Sequence, residues 1–166
     1  MPIPSSRIVY LSLFIASGLL MAVALFMEHV MALEPCPLCI MQRVMVIATG
    51  IIALLAALHG PAKIGIQVYG ALVVITAAGG AMLSMRQLWL QSLPADQVPA
   101  CGPGLDYLLD VFPLTEVLTM ILSGDGSCAE VVWSLFGISI PGWTLAGFIG
   151  LIAIGVWQVS QPRTRS

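Results

Sequence analysis

Cys36-Pro37-Leu38-Cys39 is a C-x-x-C pair, and Arg43 follows it by one helical turn. By itself such a pair serves as half of a zinc site, as a redox centre or as nothing at all. The neighbours of this one favour redox chemistry. Pro37 suits the first position of a helix, which sets Cys36 at the N-cap and Cys39 in the first turn. Thiols at helix N-termini and beside Arg have depressed pKa values, so a nucleophilic thiolate is populated near neutral pH. Cys39 and Arg43 stand four residues apart and share a helix face. The plainer role for Arg43 is that of a snorkelling anchor. Its interruption of an uncharged run beside two thiols favours a part in the chemistry.

The elements that must hold these residues belong in a membrane. The chain has 166 residues, of which 59% are hydrophobic and 8% charged, with a mean hydropathy of +1.02. A soluble domain of this size has no use for so much apolar surface. Uncharged runs predict spans at about residues 8–27, 40–58, 64–85 and 141–159 of a single membrane domain covering 1–166, with Arg43 near the start of the second. Trp143 and Trp157 are placed as interfacial anchors of the fourth. The first span is longer than a signal-peptide core of roughly 7–15 residues, and no clean small-residue cleavage site precedes Glu28. It is read as a retained helix. The fold class is therefore all-α: an antiparallel four-helix transmembrane bundle with outer loops at about 28–39 and 86–140.

Charge sets the orientation. Arg7, Lys63, Arg163 and Arg165 fall on one side with both termini, whereas all the acidic residues, from Glu28 to Glu130, fall on the other. Lys and Arg in short loops mark the cytoplasmic side, so both termini are expected inside and the cysteine loops outside. A net charge of −2 gives no basic surface for nucleic acid, and no nucleic-acid partner is expected. Cys36, Cys39, Cys101 and Cys128 all lie outside, where an oxidising compartment such as the bacterial periplasm lets paired thiols persist as disulfides. Four cysteines allow three pairings; locality favours Cys36 with Cys39, leaving Cys101 with Cys128.

The outer loop 86–140 is long enough to read as functional. Pro94, Pro99, Gly102, Pro103 and Gly104 leave Cys101 in extended chain open to another protein. Leu105 to Leu122 mixes acids with Leu, Phe, Val and Ile, and Pro113 divides it into two amphipathic pieces. These are expected to lie in the interface, because their acids make spanning expensive; a small cap packed on itself is the other reading. Ser123 to Ser127 is read as a flexible turn that lets Cys128 move between thiols. His29 and His59 fall on opposite sides and complete no site together.

With those residues in place, the chain resembles the disulfide bond formation protein B (DsbB) family, quinone-linked periplasmic disulfide oxidases. The resemblance runs through Cys36-Pro37-Leu38-Cys39-Ile40-Met41-Gln42-Arg43, Leu90-Gln91-Ser92-Leu93-Pro94, Pro99-Ala100-Cys101-Gly102-Pro103, Gly126 to Trp133, and Ile140-Pro141-Gly142-Trp143. It covers nearly the whole chain. One position departs: members often carry His where Gln87 stands, and an amide donates a hydrogen bond but does not titrate.

The resemblance implies a route for electrons. A reduced thioredoxin-fold thiol oxidase of the periplasm attacks Cys101 of a Cys101–Cys128 disulfide. The released Cys128 reaches Cys36 and frees Cys39. Cys39, assisted by Arg43 and with Gln87 beside it, reduces a membrane quinone, either ubiquinone or menaquinone. A soluble oxidase of this kind has a potential near ~−120 mV and resists being reoxidised, so the quinone must draw the last step. The implied location is the bacterial inner membrane. Other readings are a structural bundle stapled by two inert disulfides, a Cys₄ zinc module, and a quinone reductase of the vitamin K epoxide reductase type. Inert staples leave the dithiol beside Arg43 unexplained. Cys101 and Cys128 lack the short spacing of a second zinc knuckle, and no metal ligands are assigned. The third is ranked lower because the residues around Cys101 and Cys128 resemble the B family.

Overall fold

The computed structural model describes residues 5–94, 96–100 and 105–160. Its element order is α1 (Ser6–His29), α2 (Pro37–His59), α3 (Lys63–Gln91), α4 (Leu105–Val111), α5 (Leu114–Ser123), α6 (Gly126–Ala129), β1 (Ser134–Leu135), β2 (Ile138–Ser139) and α7 (Ile140–Ser160). Helices α1, α2, α3 and α7 are long and apolar enough to cross a membrane. The shortest of these, α7, has 21 residues, or ~32 Å at about 1.5 Å per residue, against a hydrocarbon core of about 30 Å. The chain is an all-α, four-helix, multi-pass membrane protein.

Packing explains the order of the bundle. α2 lies between α1 and α3, α3 packs along α7, and α1 touches α7 only lightly. The core between them uses small residues: Ala53, Ala56, Ala77 and Ala81 sit among Tyr10, Leu13, Val46, Val73, Phe148 and Leu151. Small side chains let helices approach where lipid offers no hydrophobic drive. Gly80 is the tightest point, since a β-carbon there would fall 2.1 Å from the Phe148 ring. Large apolar side chains such as Ile8, Leu19, Leu55, Ile75 and Val156 point outward, as lipid requires.

The ends of the helices are capped chemically. Pro37 opens α2 with Cys36 as N-cap. Gly60, at φ +56°, closes it, and Arg7 of α1 donates to the carbonyls of Ala57 and Leu58 at 3.1 and 3.3 Å. A cation there satisfies orphan carbonyls and complements the helix dipole. His59 pairs with Tyr69 at 3.0 Å, while His29 Nδ1 bonds the Leu25 carbonyl at 3.1 Å.

Two elements differ from the sequence expectation. Helix α3 continues past Arg86 to Gln91. Arg86 is accommodated at the helix end, donating to the Ser123 carbonyl at 3.1 Å and lying 4.3 Å over the Trp89 ring. Gln87 is therefore a helical residue, not a loop residue. A hairpin of β1 and β2, with Ser134 opposite Ser139, turns through Phe136 and Gly137 at φ +54° and +77°. Positive φ at both central residues is the twist-matched turn of a two-residue hairpin. Trp143 donates its indole N–H to Leu135 at 3.3 Å, tying this hairpin to α7.

Pro113 separates α4 from α5. Leu108, Val117 and Ile121 pack with Leu38, Leu83, Leu90, Cys36 and Cys128, so the two short helices roof the cysteine end of the bundle. Leu114, Leu118 and Leu122 stay exposed along α5, one helical turn apart.

Candidate active site

Under that roof, α2, α3 and α6 bring three sulfurs together. Cys36 Sγ lies 2.8 Å from Cys39 Sγ and is also hydrogen-bonded to Cys128. All three are free thiols in this structure, so the Cys36–Cys39 bond expected at rest is not formed here. Cys101, and with it the expected Cys101–Cys128 pairing, lies outside the described residues. The N-cap geometry explains the C-x-x-C contact: Cys36 Sγ accepts from the Cys39 backbone N–H at 3.4 Å, which folds the second sulfur back over the first.

Cys128 is not on a flexible turn. It sits in the short helix α6, whose N-cap Asp125 accepts from the Cys128 backbone N–H at 3.3 Å through its side chain. Its side chain is fully buried among the apolar residues of α2, α3 and α5. Capping and burial together overrule the loose composition of residues 123–127. The Gly126 N–H reaches the Ala100 carbonyl at 3.4 Å, which brings the chain leading into Cys101 alongside α6.

The thiols are unequal. The Cys36 thiol is pushed well above the ordinary thiol range, first by its hydrogen bonds with Cys128 and Cys39 and then by burial. Cys128 is held below that range, chiefly by the hydrogen bond from Cys36, with burial opposing and backbone hydrogen bonds at Asp125 and Leu38 assisting. Cys128 is thus the readier thiolate and Cys36 the sulfur that stays protonated. Exchange chemistry needs a thiolate attacker, and with all three thiols reduced Cys128 fits that part better than Cys36.

The family model described as "Disulfide bond formation protein DsbB" matches residues 6–158. The chain belongs to this family. A Disulfide bond formation protein B of Hahella chejuensis is 53% identical over 160 residues, 96% of this chain and 97% of that protein. One of Stutzerimonas stutzeri is 49% identical over 159 residues, 96% and 98% of the two chains. Disulfide bond formation protein B 1 of Pseudomonas aeruginosa is 42% identical over 158 residues, 95% and 97%. Disulfide bond formation is thus the setting in which this DsbB family site is read.

Gln87, expected beside a cofactor, touches the dithiol itself: its Nε2 donates to Cys36 Sγ and Cys39 Sγ, each at 3.3 Å. Its Oε1 accepts from Gln42 Nε2 at 2.8 Å. Gln42 was not singled out in the sequence, although a polar side chain inside an apolar span is itself a functional signal. Arg43 lies on the Cys39 side of α2 but is engaged by α1, in an ion pair with Glu28 and a 3.4 Å hydrogen bond to the Ala24 carbonyl. In the sequence Glu28 is an outer-side charge at the end of the first span. Spaced 15 residues before Arg43 on another helix, it carried no local pattern to betray the pair.

Gly124 decides where Cys128 sits. At φ +72° and ψ 157° it occupies backbone space that only glycine enters freely, and a β-carbon would fall 2.4 Å from Leu90 Cδ1. In Gly124→Ala protein the α5–α6 junction should lift from Leu90 and uncover Cys128. Strain of even about 1.4 kcal/mol, within the usual range for such backbone, opens the turn about tenfold more often. Maleimide labelling of Cys128, read by mass spectrometry on reduced protein, should accelerate by about that factor. Parent-like labelling would mean that the turn tolerates the methyl group.

Proposed function

We propose that this protein is a membrane thiol–disulfide oxidoreductase. It reoxidises a soluble, thioredoxin-fold thiol oxidase of the bacterial periplasm and delivers the electrons to the membrane quinone pool. The observation that carries the reading is Cys36 standing between Cys39 and Cys128, a relay of sulfurs ending at the mouth of an apolar bundle.

In the forward direction a partner thiolate attacks Cys101 of the Cys101–Cys128 disulfide, forming a mixed disulfide and expelling Cys128 thiolate. Cys128 attacks Cys36 of the Cys36–Cys39 disulfide, and Cys39 departs as thiolate. The partner's second thiol then resolves the mixed disulfide, leaving the partner oxidised and Cys101 as thiolate. Cys101 attacks Cys128, restoring the Cys101–Cys128 bond and releasing Cys36. The net result is that two electrons and two protons have passed from the partner to the Cys36–Cys39 pair. A bound quinone supplies the two-electron, two-proton acceptor that returns this pair to the disulfide.

The residues at hand suit such a group. Cys39 is half-buried, at the end of an apolar helix. Arg43 uses Nη1 on Glu28 and Nη2 on the Ala24 carbonyl, and a guanidinium has five N–H donors in all, so donors remain for a quinone carbonyl. The neighbouring Val44 and Ile47 are exposed, an apolar surface along which a lipid-soluble ring can approach. Ubiquinone and menaquinone both meet these requirements.

Location follows the same reading. Arg7 and Lys63 lie at the end of the bundle opposite the thiols, and a Lys/Arg bias of this kind faces the cytoplasm. Both termini are then cytoplasmic and the cysteine loops periplasmic, in the inner membrane. The test is anaerobic reduction of quinone by a reduced thioredoxin-fold oxidase, using the purified protein in nanodiscs. Quinol should form in proportion to oxidised partner. Absence of quinol from folded, oxidised protein would refute the assignment. In Cys128→Ser protein Cys101 has no intramolecular disulfide partner. Its thiolate should attack the disulfide of the oxidised soluble oxidase, expel that protein's second thiolate and accumulate as a mixed disulfide that Cys128 is no longer there to displace; Cys101→Ser protein should trap little. Equal trapping through Cys36 would move the site of partner attack to the dithiol.

A further inference from the structure

Gln42 and Gln87 are both buried, 3% and 4% exposed, and both lie where the sulfurs are. An amide has one end that donates and one that accepts, and its orientation follows from its partners. Gln42 Nε2 donates to Gln87 Oε1 at 2.8 Å. That contact leaves the Gln87 nitrogen facing the dithiol, 3.3 Å from each sulfur. Hydrogen bonds donated to a thiolate favour the charged form. Were the Gln87 amide reversed, its oxygen would face the same sulfurs and disfavour that form.

We propose that Gln42 is a positioning residue for the dithiol: it locks the donor end of Gln87 against Cys36 and Cys39, so that a thiolate is stabilised by a group that neither takes up nor releases a proton. The Gln87 oxygen, 3.6 Å from Cys39 Sγ, also accepts from the protonated thiol, so one amide serves both forms. The inference rests on the proposed reading of Cys36–Cys39 as the reacting pair.

Among the described residues, the other charged and titratable groups near the pair include Arg43 on α2, tied to Glu28 of α1, exposed Glu34 in the segment leading into α2, and Cys128 with Asp125 at α6. Arg86 of α3 is directed to the Ser123 carbonyl and Trp89. Asp110 of α4 and Glu116 of α5 are exposed. None of these contacts involves Gln42, whose side chain is bonded to Gln87, so the effect of Gln42 should pass through Gln87.

The experiment measures the pH dependence of iodoacetamide alkylation at Cys39 in reduced, full-length protein in nanodiscs, with the modified residue identified by tandem mass spectrometry. It uses neither quinone nor partner, so its failure is distinguishable from failure of the quinone assay. Gln42→Met keeps the length of the side chain and removes the donor. Its alkylation midpoint should rise by about half to one pH unit, and alkylation below the midpoint should slow roughly three- to tenfold. Gln42→Glu, whose carboxylate only accepts, should reverse the Gln87 amide and raise the midpoint further. Gln87→Met should raise it as well, and the Gln42→Met/Gln87→Met double variant should match Gln87→Met alone, since a residue that acts through another adds nothing once that one is gone. Gln42→Asn, with its amide withdrawn by one methylene, carries the same comparison if Gln42→Met fails to insert. A parent-like profile in an inserted Gln42 variant, or additive shifts in the double variant, would overturn the proposal.

Discussion

Cys39→Ala protein is expected to deliver no electrons to quinone, with turnover lowered at least about 10³-fold, the scale on which loss of an essential nucleophile is felt. The reason lies in the order of the sulfurs. Cys36 has Cys39 on one side at 2.8 Å and Cys128 on the other; without Cys39 its remaining neighbour is Cys128. Air oxidation of this variant should therefore give a Cys36–Cys128 disulfide and leave Cys101 unpaired. Peptide mapping after acid quenching reads the bond directly. Quinone reduction that persists in Cys39→Ala protein would assign the last transfer to another group. A folded variant in which Cys36 stays free would mean that its closeness to Cys128 is not used.

Arg43→Ala protein should be inserted but slow in quinone reduction, by about 10²-fold, as for loss of one strong donor to a developing negative charge. The structure adds a complication to this experiment. Arg43 is paired with Glu28, and removing one partner leaves a half-buried carboxylate without its cation, which destabilises the fold by itself. The double variant Glu28→Gln/Arg43→Ala removes both charges. It should recover thermal stability while quinone reduction stays low. Arg43→Lys keeps the charge but loses the planar fork, and should fall between parent and Arg43→Ala. Kinetics measured across a range of quinone concentrations, with insertion checked in parallel, separate these cases. Parent-like kinetics in inserted Arg43→Ala protein would leave Arg43 as a tie between α1 and α2.

Much of this architecture was legible because its signals are local. Uncharged runs mark the long helices, Pro37 marks the start of α2 at the dithiol, and Pro113 marks the break between α4 and α5. The features that were not legible depend on contacts between elements. The continuation of α3 past Arg86 needs the Ser123 carbonyl and the Trp89 ring. A charge read in isolation looks like the end of a span. The fixed position of Cys128 needs Asp125 as a cap and the apolar face of α5 as a roof, whereas Ser, Gly and Asp in a row suggest only looseness. Gln42 is the instructive omission. It stands between Cys39 and Arg43, three residues from one and adjacent to the other, yet its role appears only once Gln87 of another helix is seen to face it.

Arg7 and Arg43 join the same two helices from opposite ends, Arg7 to the last carbonyls of α2 and Arg43 to the last turn of α1. α1 owes little to α7 by comparison. A nascent chain that has reached Gly60 already contains every group in both ties. The first two helices can therefore enter the bilayer as a preassembled pair, their polar ends mutually neutralised before α3 has been synthesised. Arg43, on this account, would also be a biogenesis element: its partner on α1 is in place from the first moments of the protein's life.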